Sequence, residues 1–137
     1  MQMQTNATTE TPPPVTAWHR LVDNPDAAGL RDLLAPDVVF RSPAVNTPQN
    51  GRDRAFAYLW AALQVLGPTM TYSQEWYEGD SAVLRFSASV DELVIDGVDI
   101  IRWDADGRLT EFTVMIRPFK ALQAVVDAMG TQLARQR

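Results

Sequence analysis

Residues 81–117, SAVLRFSASVDELVIDGVDIIRWDADGRLTEFTVMIR, decide the fold. Ala82, Leu84, Phe86, Ala88 and Val90 alternate with Val83, Arg85, Ser87, Ser89 and Asp91. A period of two marks a strand with one buried face, and the even-numbered set, being the more apolar, is expected to face the core. The alternation returns near the end of the stretch, where Phe112, Val114 and Ile116 point one way and Glu111, Thr113, Met115 and Arg117 the other. Asp96-Gly97 and Asp106-Gly107 read as turns, which places strands at 81–93, 98–103 and 109–117. Immediately upstream, 69–78 joins the first of these at Gly79-Asp80. Four consecutive hairpin-linked strands predict an antiparallel sheet.

On either side of this stretch the period changes to that of a helix. Phe56, Leu59, Trp60, Leu63 and Leu66 form the clearest stripe, ended by Gly67-Pro68. Val15, Trp18 and Val22 share one face of an earlier helix that breaks at Asp23-Asn24-Pro25, and Leu30, Leu33 and Leu34 resume the pattern before Pro36. Asp37 to Ser42 reads as a strand stopped by Pro43. Phe119, Leu122, Val126, Met129 and Leu133 predict an amphipathic C-terminal helix, weakened by Gly130. The order α-α-β-α-β-β-β-β-α describes an α+β domain in which helices gather on one face of a bent sheet. A pocket between helix and sheet is then a natural place for a small ligand. Residues 1–14, polar and ending in Pro12-Pro13-Pro14, read as a disordered leader, with residues 15–137 as the single domain.

Composition removes whole classes of function. The chain has 137 residues, 12 Lys+Arg against 17 Asp+Glu and a net charge of −5. That is length for one core, and an acidic balance without a basic run argues against nucleic acid or an anionic membrane as partner. With no cysteine and His19 as the single histidine, disulfides, thiol catalysis and a multi-histidine metal centre are excluded. No metal or organic cofactor is expected. No signal-peptide pattern or membrane-length apolar run appears, so cytoplasmic residence is the expectation. There is no G-x-S-x-G elbow, phosphate-binding glycine loop or H-E-x-x-H.

Asp99 stands out. It lies mid-strand on the face shared by Ile101 and Trp103, where a carboxylate loses hydration unless something compensates it. If that face lines a pocket, desolvation raises its pKa and keeps a neutral acid able to donate to a developing oxyanion. The other reading pairs Asp99 with Arg41 or Arg85, or turns it to a dimer surface. His19 is the second catalytic candidate, as a proton acceptor through water, against a structural role beside the Trp18 stripe. Tyr58, Tyr72 and Tyr77 are candidate ligand-orienting groups, and of the three Tyr58 has the route to the cavity.

Three stretches carry a family resemblance: Asn24-Pro25-Asp26 through Leu34-Ala35-Pro36-Asp37-Val38-Val39-Phe40-Arg41-Ser42-Pro43, then Asn50-Gly51-Arg52, then Gly97-Val98-Asp99-Ile100-Ile101-Arg102-Trp103-Asp104-Ala105-Asp106-Gly107-Arg108-Leu109. Together with the element order they resemble the nuclear-transport-factor-2-like (NTF2-like) superfamily and, within it, SnoaL-like (polyketide-cyclase-like) and ketosteroid-isomerase-like proteins. The resemblance implies a cone-shaped fold, with a curved antiparallel sheet packed on N-terminal helices around an apolar cavity and an extra C-terminal helix. Its expected lining is Trp18, Phe40, Phe56, Leu59, Trp60, Leu63, Leu84, Phe86, Ile101, Trp103, Phe112, Val114 and Ile116. In ketosteroid isomerases the oxyanion-hole acid falls at Asp99, but the general base falls at Ser42 and the oxyanion-hole tyrosine at Trp18. Limonene-epoxide-hydrolase-like members carry an arginine where Gly97 stands, and polyketide cyclases an acid near Thr113. The resemblance thus implies a small, largely apolar ligand and isomerase, cyclase or hydrolase chemistry on a carbonyl compound through one buried acid, in a homodimer joined by the convex sheet face. The alternative is a non-catalytic dimerisation or partner-binding module whose cavity Phe56, Trp60, Phe86 and Trp103 fill.

Overall fold

The computed structural model describes residues 10–136. The elements run α1 (Pro13–Asp23), α2 (Ala27–Leu33), β1 (Leu34–Arg41), β2 (Gln49–Asn50), α3 (Arg52–Val65), a 3-10 turn (Gly67–Thr69), β3 (Thr71–Glu78), β4 (Ser81–Val90), β5 (Leu93–Trp103), β6 (Leu109–Arg117) and α4 (Phe119–Arg135). The strands form one curved sheet in the order β2-β1-β6-β5-β4-β3, giving the expected α+β architecture. One pairing departs from expectation: β1 runs parallel to β6, so the sheet is mixed. Hairpins oblige β3 to β6 to alternate in direction, whereas β1 is joined to β6 only through a long connection that leaves its direction free.

Three boundaries also move. Two residues expected in the leader belong to the domain, because Pro13 and Pro14 open α1 and Pro14 is buried. First-turn N–H groups have no intrahelical acceptor, so a proline there sacrifices nothing. The remainder of the expected leader, residues 1–9, lies outside the described residues. At the next boundary, β1 begins at Leu34 and carries Pro36 inside it. Its ladder with β6 is irregular between Leu34 and Val39, which is where a residue without an N–H is tolerated.

The third correction concerns Asp96-Gly97, which is not a turn. The chain reverses at Asp91-Glu92, with Val90 opposite Leu93 and both turn residues in the left-handed region at φ 52 and 67. Two such residues suit the right-handed twist of a two-residue hairpin. Gly97 is instead required mid-strand: a Cβ there would lie 2.5 Å from the Phe86 ring and 2.8 Å from the Met115 carbonyl oxygen. The glycine makes room for an aromatic ring on the neighbouring strand.

The core lies between the concave face of the sheet and the helices. Ala82, Leu84, Phe86 and Ala88 of β4 are buried as the alternation predicts, against Val15 and Trp18 of α1, Leu59 and Leu63 of α3, and Phe112 of β6. Burying each such Leu or Phe contributes about 1.5–3 kcal/mol. On α4 the buried positions are Ala121 and Val125, while Phe119, expected in the stripe, is 78% exposed. Among the described residues no helix is long and apolar enough to cross a membrane.

Candidate functional site

The site depends on an irregularity in β3. Its pairing with β4 shifts between Tyr72 and Gln74, so Tyr72 faces Phe86, Glu75 faces Leu84 and Tyr77 faces Ala82. Those β4 partners all point to the core, so the bulge turns Tyr72, Glu75 and Tyr77 to the helix side together. Strict alternation would have put Tyr72 and Tyr77 on opposite faces.

Asp99 projects from β5 between Leu84 and Val114 and is 3% exposed. The Tyr72 hydroxyl donates to its Oδ2 at 2.6 Å, and the Trp18 indole N–H donates to the Tyr72 oxygen at 2.7 Å. Neither expected arginine partners it: Arg41 bonds Glu111 and Arg85 bonds Asp96. Burial pushes the Asp99 carboxyl up to about 7, against the opposing pull of the Tyr72 hydroxyl and the Trp18 N–H. Tyr72, buried beside that carboxyl, is held well above the ordinary phenol range.

Next to Asp99 lies a cavity of about 230 Å³. Trp18 of α1, Phe40 of β1 and the Ser42–Val45 loop form one side of it, and Tyr58, Leu59, Ala62 and Leu63 of α3 another. Phe112, Val114 and Ile116 line it from the sheet, and Val125, Val126, Met129, Gly130 and Leu133 of α4 from the C-terminal side. Apart from Ser42, Tyr58 and Asp99, the lining side chains are apolar or, like Trp18, have their polar atom engaged. Aromatic rings follow the wall without interruption. Tyr58 stacks on Phe40 at 5.6 Å, Phe40 meets Phe112 at 6.1 Å, and Phe112 meets Trp18 edge-on at 4.8 Å.

Of the expected lining, Trp18, Phe40, Leu59, Leu63, Phe112, Val114 and Ile116 surround this cavity. Six others do not. Leu84, Phe86 and Ile101 are fully buried in the core and do not line the cavity. Phe56 and Trp60 stack on each other at 5.8 Å on another side of α3, where the Arg31 guanidinium covers Phe56 at 4.5 Å. Trp103 is half-buried at the end of β5. The four aromatic residues expected to fill the cavity in the alternative reading therefore lie outside its wall.

His19 is also absent from the wall. It follows Trp18 by one residue, about 100° around the helix, and its Nε2 pairs with the Glu75 carboxylate, which also accepts from the Tyr77 hydroxyl. The ring packs edge-on against Tyr72 at 4.6 Å. Tyr58 reaches the cavity as expected, but Tyr72, which the sequence offered no route to the site, makes the decisive contact with Asp99. The bulge that turns it inward has no signal in composition or periodicity. Of the α4 lining, Val126, Met129 and Leu133 were legible as an apolar stripe, while Val125 and Gly130 were not.

The sequence profile of the SnoaL-like domain matches residues 15–112, and the chain belongs to that family. Among solved structures it is similar to a steroid delta-isomerase from Pseudomonas aeruginosa, with 37% identity, a TM-score of 0.84, and 99% of this chain and 97% of that one covered. It is also similar to an uncharacterised bacterial protein with a cystatin-like fold from Silicibacter pomeroyi, at 32% identity and TM-score 0.81, covering 88% of this chain and 84% of that one. A putative SnoaL-like polyketide cyclase from Jannaschia shares the fold at 16% identity and TM-score 0.65, over 85% of this chain and 96% of that one. No curated protein matches. The fold is NTF2-like.

Proposed function

We propose that this SnoaL-like protein binds a small, largely apolar carbonyl compound in its cavity, with the Asp99 carboxyl hydrogen-bonded to the carbonyl oxygen. The observation that carries this reading is a carboxyl 3% exposed in the wall of an apolar cavity and, among the described residues, paired with no cation. A group titrating near 7 is substantially protonated at neutral pH, and a buried neutral acid is a strong donor to an oxygen that gains negative charge. Polarising a carbonyl in this way assists isomerisation, cyclisation or hydration. The steroid delta-isomerase relative supports the ligand class, since a steroid ketone is an apolar carbonyl compound. Ser42 stands where the resemblance places a carboxylate base, so the reading assigns Asp99 the role of hydrogen-bond donor to the carbonyl oxygen alone. Titration with androst-4-ene-3,17-dione, followed by quenching of tryptophan fluorescence and compared with Trp18→Phe, tests the reading. Saturable quenching that weakens on the order of 10-fold in Asp99→Ala is the expected result; no saturable quenching of the wild type sinks it.

A second reading, a homodimer through the convex sheet face, is favoured by one observation. On that face Trp76 is 53% and Met115 56% exposed, beside half-buried Val83, Val98 and Ile100. Soluble domains rarely present such a surface unpartnered. Trp76→Glu is expected to shift the sedimentation coefficient to that of a monomer, and a wild type already monomeric at high concentration removes this reading.

A further inference from the structure

Hydrogen-bond polarity in the chain Trp18–Tyr72–Asp99 can be assigned from the chemistry of its members. An indole N–H only donates. The Tyr72 oxygen, 2.7 Å away, must therefore accept, and its single proton is directed to Asp99 Oδ2 at 2.6 Å. Oδ2 is thereby committed as an acceptor. When Asp99 is neutral, a proton on Oδ2 would compete with that bond, so the proton belongs on Oδ1. Among the described residues the Tyr72 bond to Oδ2 is the one side-chain hydrogen bond made to this carboxyl, while the Trp18 N–H, bonded to the Tyr72 oxygen, lies near enough to favour the charged form. Asp99 lines the cavity and Tyr72 does not, so the oxygen away from Tyr72 is the one a ligand meets.

We infer that Trp18 and Tyr72 are positioning residues that hold the Asp99 proton on its cavity-facing oxygen, so that the site selects ligands presenting a bare acceptor, a ketone over the matching alcohol. The inference rests on the carbonyl-binding reading and deepens it. An alcohol can accept the same bond, but its own O–H must then find an acceptor in a wall that is apolar apart from Ser42 and Tyr58, which disfavours it. Without Tyr72, Oδ2 is free, the carboxyl can present either a donor or an acceptor to the cavity, and the discrimination disappears. Without the Trp18 N–H the Tyr72 hydroxyl can reverse and accept from Asp99, with the same result. An alcohol that turned to Tyr58 or Ser42 would be indifferent to Tyr72, so the response to substitution reads the Asp99 end alone.

The rigid pair 2-adamantanone and 2-adamantanol, titrated calorimetrically at about pH 5.5, where Asp99 is protonated, tests the inference. The wild type is expected to prefer the ketone on the order of 10-fold, and Tyr72→Phe and Trp18→Phe to bring the two ligands near parity while the ketone still binds. Circular dichroism checks that both variants fold. An unchanged ratio in both variants overturns the inference and leaves the cavity reading intact; binding of neither probe to the wild type overturns both. A ligand-free measurement tests the proton's position independently. The protonated Asp99 carbonyl band in the infrared, identified by its loss in Asp99→Asn, is expected to move to higher frequency in Tyr72→Phe as its hydrogen bond is removed. A band that stays in place overturns the assignment.

Discussion

Two polar clusters are built from the same two elements, one residue apart on α1 and three apart on β3. Trp18 of α1 and Tyr72 of β3 converge on Asp99, while His19 of α1 and Glu75 of β3 pair with each other and with Tyr77. The side chains of His19 and Glu75 keep 28% and 18% of their exposure, whereas Asp99 keeps 3% as a residue. The outer cluster pairs an imidazole with a carboxylate within reach of water. The inner one surrounds a carboxyl with an apolar wall and only neutral donors. Similar chemistry thus closes on itself in one place and leaves a desolvated carboxyl in the other. The difference is access to water, and it arises from a rotation of one residue on a helix.

The largest expected effect breaks the inner cluster. Asp99 is raised from its ordinary 3.8 to about 7 in the folded protein. The native state therefore keeps a proton that the unfolded chain releases, and stability falls as pH rises through that window, by on the order of 3–4 kcal/mol. Asp99→Asn should remove this slope, leaving the variant more stable than wild type at about pH 8 and nearly equal at about pH 4. Urea denaturation at the two pH values measures it, and parallel wild-type and variant profiles would refute the desolvated acid.

The second prediction concerns ligand affinity in the same cluster. If the neutral acid is the binding form, affinity for a ketone declines about 10-fold per pH unit above 7, whereas affinity for the matching alcohol does not. Parallel pH profiles for the two ligands would contradict a donor role. A third sharpens the border between cavity and core. Gly130 faces the cavity from within α4, and a Cβ there meets nothing within 4 Å. Gly130→Leu should gain helix propensity of about 1 kcal/mol while filling space that a ligand would use. Higher thermal stability with weaker ketone binding is expected, and undiminished binding would place the ligand elsewhere. The smallest effect belongs to the outer cluster. His19→Ala should cost less than about 1 kcal/mol and leave ketone affinity within about twofold; a larger loss of affinity would restore His19 to the site.

The fold was more legible than the site, for identifiable reasons. Alternation in β4 and β6 and the stripe on α3 report burial directly, since each side chain's face follows from a fixed period. Asp99 was legible for the same reason, as a carboxyl on an apolar face. Tyr72 was not, because a one-residue bulge reverses every face beyond it. Trp18 and His19 differ by one position, and the side of α1 that looks into the cavity depends on how α1 is docked against β3. Asp96-Gly97 misled for the opposite reason: a turn-forming pair was used mid-strand to clear the Phe86 ring.

Local pattern therefore sufficed for the element order, the buried faces of the central strands and the presence of one acid out of place among apolar residues. Those properties follow from periods of two and 3.6 and from the cost of hiding a charge, and both act along the chain. Tertiary structure decided the parallel pairing of β1 with β6, the sealing of Phe86 and Ile101 away from the cavity, and the gathering of Trp18, Tyr72 and Asp99 into one hydrogen-bonded line. Residues separated by 54 and 27 positions meet there. Their meeting depends on sheet curvature, a bulge and the docking of a helix, each set by the packing of the whole domain.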